Sequence, residues 1–154
     1  MHDYVTEAVS LPLTYATEEA LLFATPRSGR ELVLLAGHLD TVPAQGNLPG
    51  RIEDGFVVGL GASDMKGGCA VMIELARWAA GRAGLSLDLA FLFFVREELP
   101  GEESALPRVF AEAPLVLDAD LLLPATEASA LAPFVEVVDE RAQRRADRGL
   151  GSGH

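Results

Sequence analysis

The sequence predicts an α/β fold with a mainly parallel or mixed sheet and crossover helices. Two nearly unbroken apolar runs, Glu31–Ala36 and Leu85–Val95, are typical of strands buried on both faces. Residues 65–80, which lie between these runs, have helical spacing of apolar side chains. Buried strand, helix and buried strand in succession indicate parallel strands joined by a crossover helix.

Four shorter elements, three strands and a helix, are predicted around this unit: Glu19–Thr25, Phe56–Leu60, Leu121–Leu123 and Ser104–Ala113. Residues 27–30 look like a hairpin turn into the first buried run. Asp64 stands in the N-cap position of the central helix. Pro107 is expected to break or kink the last helix, and Pro124 to stop the last strand.

Composition excludes several classes of protein. The chain has 154 residues and a net charge of −11, which argues against a nucleic-acid or anionic-membrane surface. One cysteine, Cys69, excludes a disulfide framework and fits a reducing compartment. The longest strongly apolar stretch, Leu89–Val95, is too short to cross a bilayer. We therefore expect a soluble cytoplasmic domain without nucleic-acid or membrane partners.

Six polar side chains stand where predicted strands end or the central helix begins: His38, Asp40, Asp64, Glu97, Glu98 and Glu127. In α/β sheets, ligands bind in the crevice outside the carboxyl ends of the strands. Carboxylates gathered there repel one another unless a cation neutralises them. Imidazole and carboxylate together are ligands for Zn²⁺ and similar divalent ions. The pattern therefore indicates a candidate site for paired metal ions.

Each of these residues also has an ordinary explanation. A lone histidine after a strand is usually a loop residue, a Glu-Glu pair is usually solvated, and an aspartate before a helix is usually a cap. Their coincidence at successive strand ends favours a site. Cys69 lies among apolar helix residues and is expected in the core rather than as a nucleophile. The sequence contains no GxxxxGK[ST] phosphate loop and no GxSxG nucleophile motif.

Three ordered motifs, GHLDTVP (37–43), GLGASDMKGG (59–68) and REE (96–98), resemble the M20 family of dinuclear-zinc peptidases and deacylases. The resemblance covers residues 19–125 and implies the N-terminal part of a zinc-peptidase-like catalytic domain. Within the family, the chain most resembles enzymes that remove the succinyl group from N-succinyl-diaminopimelate, in lysine and peptidoglycan-precursor synthesis. Acetylornithine deacetylases and carboxypeptidases share the motifs and remain alternatives.

The resemblance also implies roles for individual residues. His38 is implied to bind one of two zinc or cobalt ions, Asp64 to bridge both ions, and Glu98 to bind the other. Asp40 is implied to orient the imidazole, and Glu97 to act as the general base. Relatives often carry a non-proline cis peptide after the bridging aspartate, so the Asp64–Met65 bond is expected to be cis.

The C-terminal part departs from the family pattern. Glu127 is the acidic candidate to complete the first metal's ligands, one residue out of register with the Glu-Pro-Thr-like segment of relatives. We expect residues 1–132 to be a partial catalytic domain without the lid and dimerisation domain, with the second metal site incomplete. Residues 133–154 read as an Arg-rich, poorly ordered tail.

Two functional hypotheses follow from these motifs and departures. The first is a hydrolase of a small N-acyl amino acid from a family that is often homodimeric. The second is an inactive truncated or frameshifted fragment, which at most binds metal or a partner.

Overall fold

A computed structural model describes residues 2–99 and 103–124, which form a five-stranded sheet, a separate two-stranded hairpin and three α-helices. The strands are β1 (Leu13–Ala16), β2 (Ala20–Ala24), β3 (Leu32–His38), β4 (Arg51–Glu53), β5 (Phe56–Val58), β6 (Asp88–Phe94) and β7 (Leu121–Pro124). The helices are α1 (His2–Ala8), α2 (Gly67–Ala80) and α3 (Leu106–Glu112). A kinked turn, Ala62–Lys66, precedes α2, and a 3₁₀ turn, Pro114–Val116, follows α3.

The large sheet has the strand order β1-β2-β6-β3-β7 and is mixed, as predicted. β3 runs parallel to both β6 and β7, whereas β2 runs antiparallel to β6 and to β1. The register of β3 against β6 runs from Leu32 opposite Asp88 to His38 opposite Phe94. The carboxyl ends of β3 and β6 therefore lie side by side.

Both central strands are buried because each has a helical layer on either face. Alternate residues of a strand point to opposite faces. Val33 and Leu35 of β3 thus pack in the layer that contains α1 and α2. Leu32 and Leu34 pack in the layer that contains α3 and the 3₁₀ turn. This two-sided burial explains why β3 and β6 read as continuous apolar runs rather than alternating ones.

The predicted hairpin at residues 27–30 is wrong. β2 and β3 are not neighbours, because β6 lies between them and pairs with both. The backbone N–H of Thr25 donates to the Leu89 carbonyl at 2.9 Å, so the end of β2 continues along β6 instead of turning back. A turn motif in the sequence shows only that the chain changes direction there. It does not show which strand pairs with the strand before the turn.

Two helix boundaries also differ from the prediction. α2 begins at Gly67, with Lys66 as its N-cap, so Asp64 is not the cap. The backbone of Asp64 is extended, with φ −120° and ψ 100°. Pro107 lies in the first turn of α3 and does not kink it, because a proline's missing N–H is not needed there.

Glu127, the boundary at 132 and the tail at 133–154 lie outside the described residues. The expectations about them stay predictions. No helix within the described part of the chain combines the length and the apolar character needed to cross a membrane.

Candidate metal centre

His38 is the buried centre of the site. It ends β3 and has 3% exposure, because it lies beside Phe94 at the end of β6. Its Nε2 atom lies 3.0 Å from the Asp64 Oδ1 atom and 4.0 Å from the Glu97 Oε2 atom. The ring is therefore aimed at two carboxylates that come from different segments of the chain.

Asp40 contacts the opposite side of the same ring. The Nδ1 atom of His38 lies 3.2 Å from the Asp40 backbone carbonyl oxygen and 3.5 Å from the carboxylate Oδ1. The Asp40 carboxylate also accepts hydrogen bonds from the backbone N–H groups of Glu97 and Glu98, both at 3.3 Å. Asp40 thus holds the imidazole and the two glutamates in one arrangement.

Asp64 reaches the site from the kinked turn before α2. The turn starts after Gly61, whose φ of +72° suits glycine, and the Lys66 backbone N–H donates to the Gly61 carbonyl at 2.8 Å. The Asp64–Met65 peptide is cis, as expected from the resemblance. The Asp64 side chain is 68% exposed, so one oxygen contacts His38 while the carboxylate stays open to solvent.

Glu97 and Glu98 follow β6 after a sharp change of backbone direction. Arg96 takes the left-handed conformation, with φ +68°, and its guanidinium forms a 2.7 Å ion pair with Glu19. This turn sends both glutamates over the end of the sheet. One ligand atom from each of His38, Glu97 and Glu98 lies within 4.8 Å of the others.

The donor set suits a divalent cation. Four carboxylates, those of Asp40, Asp64, Glu97 and Glu98, gather around one imidazole. Both ring nitrogens of His38 face oxygen atoms, and a cation bound at one nitrogen and its facing carboxylate would satisfy both groups. Nitrogen and carboxylate ligands are those that Zn²⁺ and its neighbours in the transition series prefer.

The structure places five of the six predicted residues in this site, and the sixth, Glu127, lies outside the described residues. His2 does not belong to the site, because its Nε2 lies 2.9 Å from the Thr17 carbonyl oxygen, next to the β1–β2 connection. Among the described residues, the site therefore has one imidazole. The ligand roles assigned to its members remain proposals.

Two sulfur-containing side chains contact the peptide groups of His38. The His38 backbone N–H donates to the Met65 thioether sulfur at 3.2 Å, and the Cys69 thiol donates to the His38 carbonyl at 3.2 Å. Burial raises the pKa of the Cys69 thiol and outweighs the nearby Lys66 ammonium, which lowers it, so the resulting pKa is about 11. Cys69 is a buried core residue, as expected, whereas sequence reasoning missed Met65 because a thioether acceptor leaves no pattern in the sequence.

Comparison with known proteins places these motifs in a family. A sequence model of peptidase family M20/M25/M40 matches residues 34–140. The DapE protein of Mycobacterium tuberculosis (strain H37Rv) is 43% identical over 104 residues, which cover 68% of this chain and 28% of that protein. A succinyl-diaminopimelate desuccinylase of Corynebacterium glutamicum is 40% identical over 103 residues, covering 67% and 28% of the two chains.

A solved structure shows the same fold. An M20 family metallo-carboxypeptidase from Sulfolobus solfataricus aligns with a TM-score of 0.65 at 16% identity. The alignment covers 80% of this chain and 30% of that one.

This chain spans 28% of the length of the two curated relatives above. Since the family match extends over more than half of the sequence and contains all three motifs, the chain belongs to peptidase family M20/M25/M40.

Proposed function

We propose that this protein is a metal-dependent hydrolase that cleaves the amide bond of an N-acyl amino acid. The observation that carries the proposal is the gathering of His38 with four carboxylates where β3 and β6 end. Two relatives at 40–43% identity are named for succinyl-diaminopimelate desuccinylation, so N-succinyl-diaminopimelate is the proposed substrate. That substrate assigns the protein to lysine and peptidoglycan-precursor synthesis.

Three side chains are proposed to hold the metal. His38 and Asp64 would hold one ion, and Asp64 and Glu98 would hold a second, with zinc or cobalt as the metals. Bound divalent ions polarise a carbonyl group and lower the pKa of water to near neutrality. The Asp64 carboxylate fits a residue shared between two ions, because its side chain contacts His38 and is still 68% exposed.

Glu97 is the proposed general base. Its side chain is 49% exposed, and its Oε2 lies 4.0 Å from His38 Nε2, so it can reach a water molecule beside the ring. Glu97 Oε2 takes a proton as the water oxygen bonds to the amide carbon. Glu97 returns the proton to the leaving nitrogen as the C–N bond breaks, which gives a carboxylic acid and an amine. Asp40 holds the imidazole and the Glu97 backbone in place during both steps.

The test is hydrolysis of N-succinyl-L,L-diaminopimelate by the purified chain with added Zn²⁺ or Co²⁺, followed by detection of the free amine. Glu97→Gln is expected to abolish turnover but keep cobalt binding, whereas Asp64→Asn is expected to weaken cobalt binding. Glu53→Gln is the matched control, because Glu53 is an exposed carboxylate of β4 that pairs with Arg51. Equal turnover by wild type and Glu97→Gln would reject the assigned base.

A second candidate function is cation binding without turnover. Among the described residues, the site has a single imidazole. This favours cation binding without turnover, because catalytic zinc sites usually have two or three histidine ligands. Tight Co²⁺ binding without amine release by the wild-type chain would select this function. Binding together with release would select the hydrolase.

A further inference from the structure

We propose that Met65 and Cys69 are positioning residues that hold His38 through the peptide groups of that histidine. Met65 accepts the His38 N–H, and Cys69 donates to the His38 carbonyl. The inference rests on the proposed function, in which His38 binds a cation. It extends that function to two residues that are not among the proposed ligands.

Among the described residues, no strand pairs with these two peptide groups of His38. Successive residues of a strand direct their peptide groups to alternate edges. Leu39 donates its N–H to the Phe94 carbonyl of β6 at 2.7 Å, so His38 faces the opposite edge, toward β7. Leu32, six residues earlier, faces the same edge and accepts the Asp120 N–H just before β7. Within the described residues, the pairing of β3 with β7 ends at Ala36 opposite Pro124, two residues before His38.

The two sulfur groups match the polarity of the peptide groups that they meet. A thioether sulfur has lone pairs and no proton, so it can accept from an N–H, whereas a thiol can donate to a carbonyl. Both contacts are 3.2 Å long. Met65 and Cys69 are 2% and 3% exposed, so water does not compete for either bond. A buried peptide N–H without a partner is costly, and these contacts remove that cost.

The same contacts couple His38 to Asp64. Met65 directly follows Asp64, so the sulfur that holds the His38 backbone belongs to the residue next to a proposed metal ligand. Gly37 permits the close approach: a Cβ atom there would lie 2.8 Å from Met65 Cε and 3.2 Å from Cys69 Sγ. The spacing between the His38 ring and the Asp64 carboxylate is therefore set in part by sulfur packing beneath the sheet end.

The primary test compares Met65→Leu with Met72→Leu. Leucine has nearly the volume of methionine but cannot accept a hydrogen bond. Met72 is a fully buried methionine of α2 whose sulfur packs against Gly37, so it controls for lost sulfur and altered packing. Cobalt binding is measured by titration, and hydrogen exchange of the His38 amide is measured by NMR on the metal-free chain.

We expect Met65→Leu to weaken cobalt binding about 10- to 100-fold, the range found when groups that orient a ligand are lost. It should also speed exchange of the His38 amide, whereas Met72→Leu should leave both measurements within about 2-fold of wild type. Equal behaviour of the two variants would overturn the role of Met65.

Cys69→Ser and Cys69→Ala form a second, independent pair. Serine keeps a donor, and alanine removes it, so we expect tighter cobalt binding in Cys69→Ser than in Cys69→Ala. Identical affinities would overturn the role of Cys69. This pair decides the inference if Met65→Leu does not fold.

The NMR readout separates this inference from the proposed function. If the wild-type chain binds no cobalt, the proposed metal site fails. The positioning of His38 is then judged on the metal-free chain. Faster amide exchange and altered imidazole ¹⁵N shifts in Met65→Leu, but not in Met72→Leu, support the positioning role. Unchanged values in both variants reject it.

Discussion

The Asp40 carboxylate accepts the backbone N–H of Glu97 at 3.3 Å, which joins the segment after β3 to the segment after β6. Its other oxygen accepts the N–H of Glu98 at the same distance. Hydrogen bonds from backbone N–H groups to a charged carboxylate hold the backbone of the donating segment in position. Asp40 therefore organises the glutamates that follow β6 in addition to the imidazole that it was expected to orient.

Replacing Asp40 should loosen the site more than the fold. In Asp40→Ala, two backbone donors and one ring nitrogen lose their carboxylate, so we expect cobalt affinity to fall about 10- to 100-fold. Asp118→Ala, at an exposed aspartate outside the site, is the control and should leave affinity unchanged. Isothermal titration measures both, and equal affinities would show that Asp40 does not organise the ligands.

Gly37→Ala tests the close packing beneath His38. The added methyl group would lie 2.8 Å from Met65 Cε and 3.0 Å from Met72 Sδ, closer than van der Waals contact allows. Since overpacking a core costs about 1–3 kcal/mol, we expect that loss in the free energy of unfolding from urea titrations. The control is Ala70→Gly, on the exposed side of α2. Gly29→Ala would not serve as the control, because Gly29 has φ +78°, where alanine strains the backbone.

That control has its own expected cost. Glycine inside a helix destabilises by about 1 kcal/mol relative to alanine, without touching Met65. Gly37→Ala should weaken cobalt binding, whereas Ala70→Gly should reduce stability alone. A Gly37→Ala variant with wild-type cobalt affinity would show that Met65 moves without disturbing His38.

Asp88 should make the stability of the fold depend on acid pH. Its carboxyl is buried, which alone would raise its pKa, but hydrogen bonds from Ser28 and the nearby Arg27 guanidinium outweigh burial and lower the pKa. A pKa lower in the folded than in the unfolded state stabilises the fold above the unfolded pKa of about 4. That contribution is lost as the pH falls through the folded pKa.

The measurement is urea unfolding of wild type and Asp88→Asn at pH 7 and at successively lower pH. We expect Asp88→Asn to lose about 1–3 kcal/mol at pH 7, the cost of impaired buried hydrogen bonds, and the difference from wild type to shrink as the pH falls. Glu112→Gln is the comparison, because hydrogen bonds from Arg108 and Tyr15 lower the pKa of this surface carboxyl. Its effect should be smaller, and a pH-independent difference for Asp88→Asn would contradict the assignment.

Phe93→Ala tests the central layer of the sheet. Phe93 is fully buried in β6, and its ring meets that of Phe23 edge-on with centroids 6.3 Å apart. Truncation of a buried phenylalanine costs about 3–5 kcal/mol, which urea unfolding should show. Phe56→Ala, on the 72% exposed ring of β5, should change stability by less than about 0.5 kcal/mol. Comparable losses in both variants would mean that β6 is not the core strand.

The central unit of the fold could be predicted because its pattern is strong. β3 and β6 are buried on both faces, so they appear as continuous apolar runs on either side of a helical segment. The pairing of the strands was harder to predict from the sequence. The turn motif at residues 27–30 is local, whereas the position of β6 between β2 and β3 depends on the crossover connection. Helix α1 and the outer strand β1 were missed because they are short and their apolar positions show little periodicity.

The candidate site, like the fold, could be predicted only in part. Polar residues at strand ends were visible in the sequence, and the structure brings His38, Asp40, Asp64, Glu97 and Glu98 together. The sulfur contacts to His38 were not visible, because Met65 and Cys69 look like ordinary apolar residues at the start of a helix. Hydrogen bonds to sulfur appear only when the backbone positions are known.

The five site residues lie between positions 38 and 98: at the end of β3, in the connection between β3 and β6, and just after β6. In an unfolded chain they are separated by up to 60 positions, and they meet when β3 docks beside β6. A cation that needs several of them at once can bind only after that docking, so its binding energy adds to the stability of the docked state. The unfolding midpoint should therefore rise with cobalt concentration, by an amount that the affinity of the cation for the docked state sets.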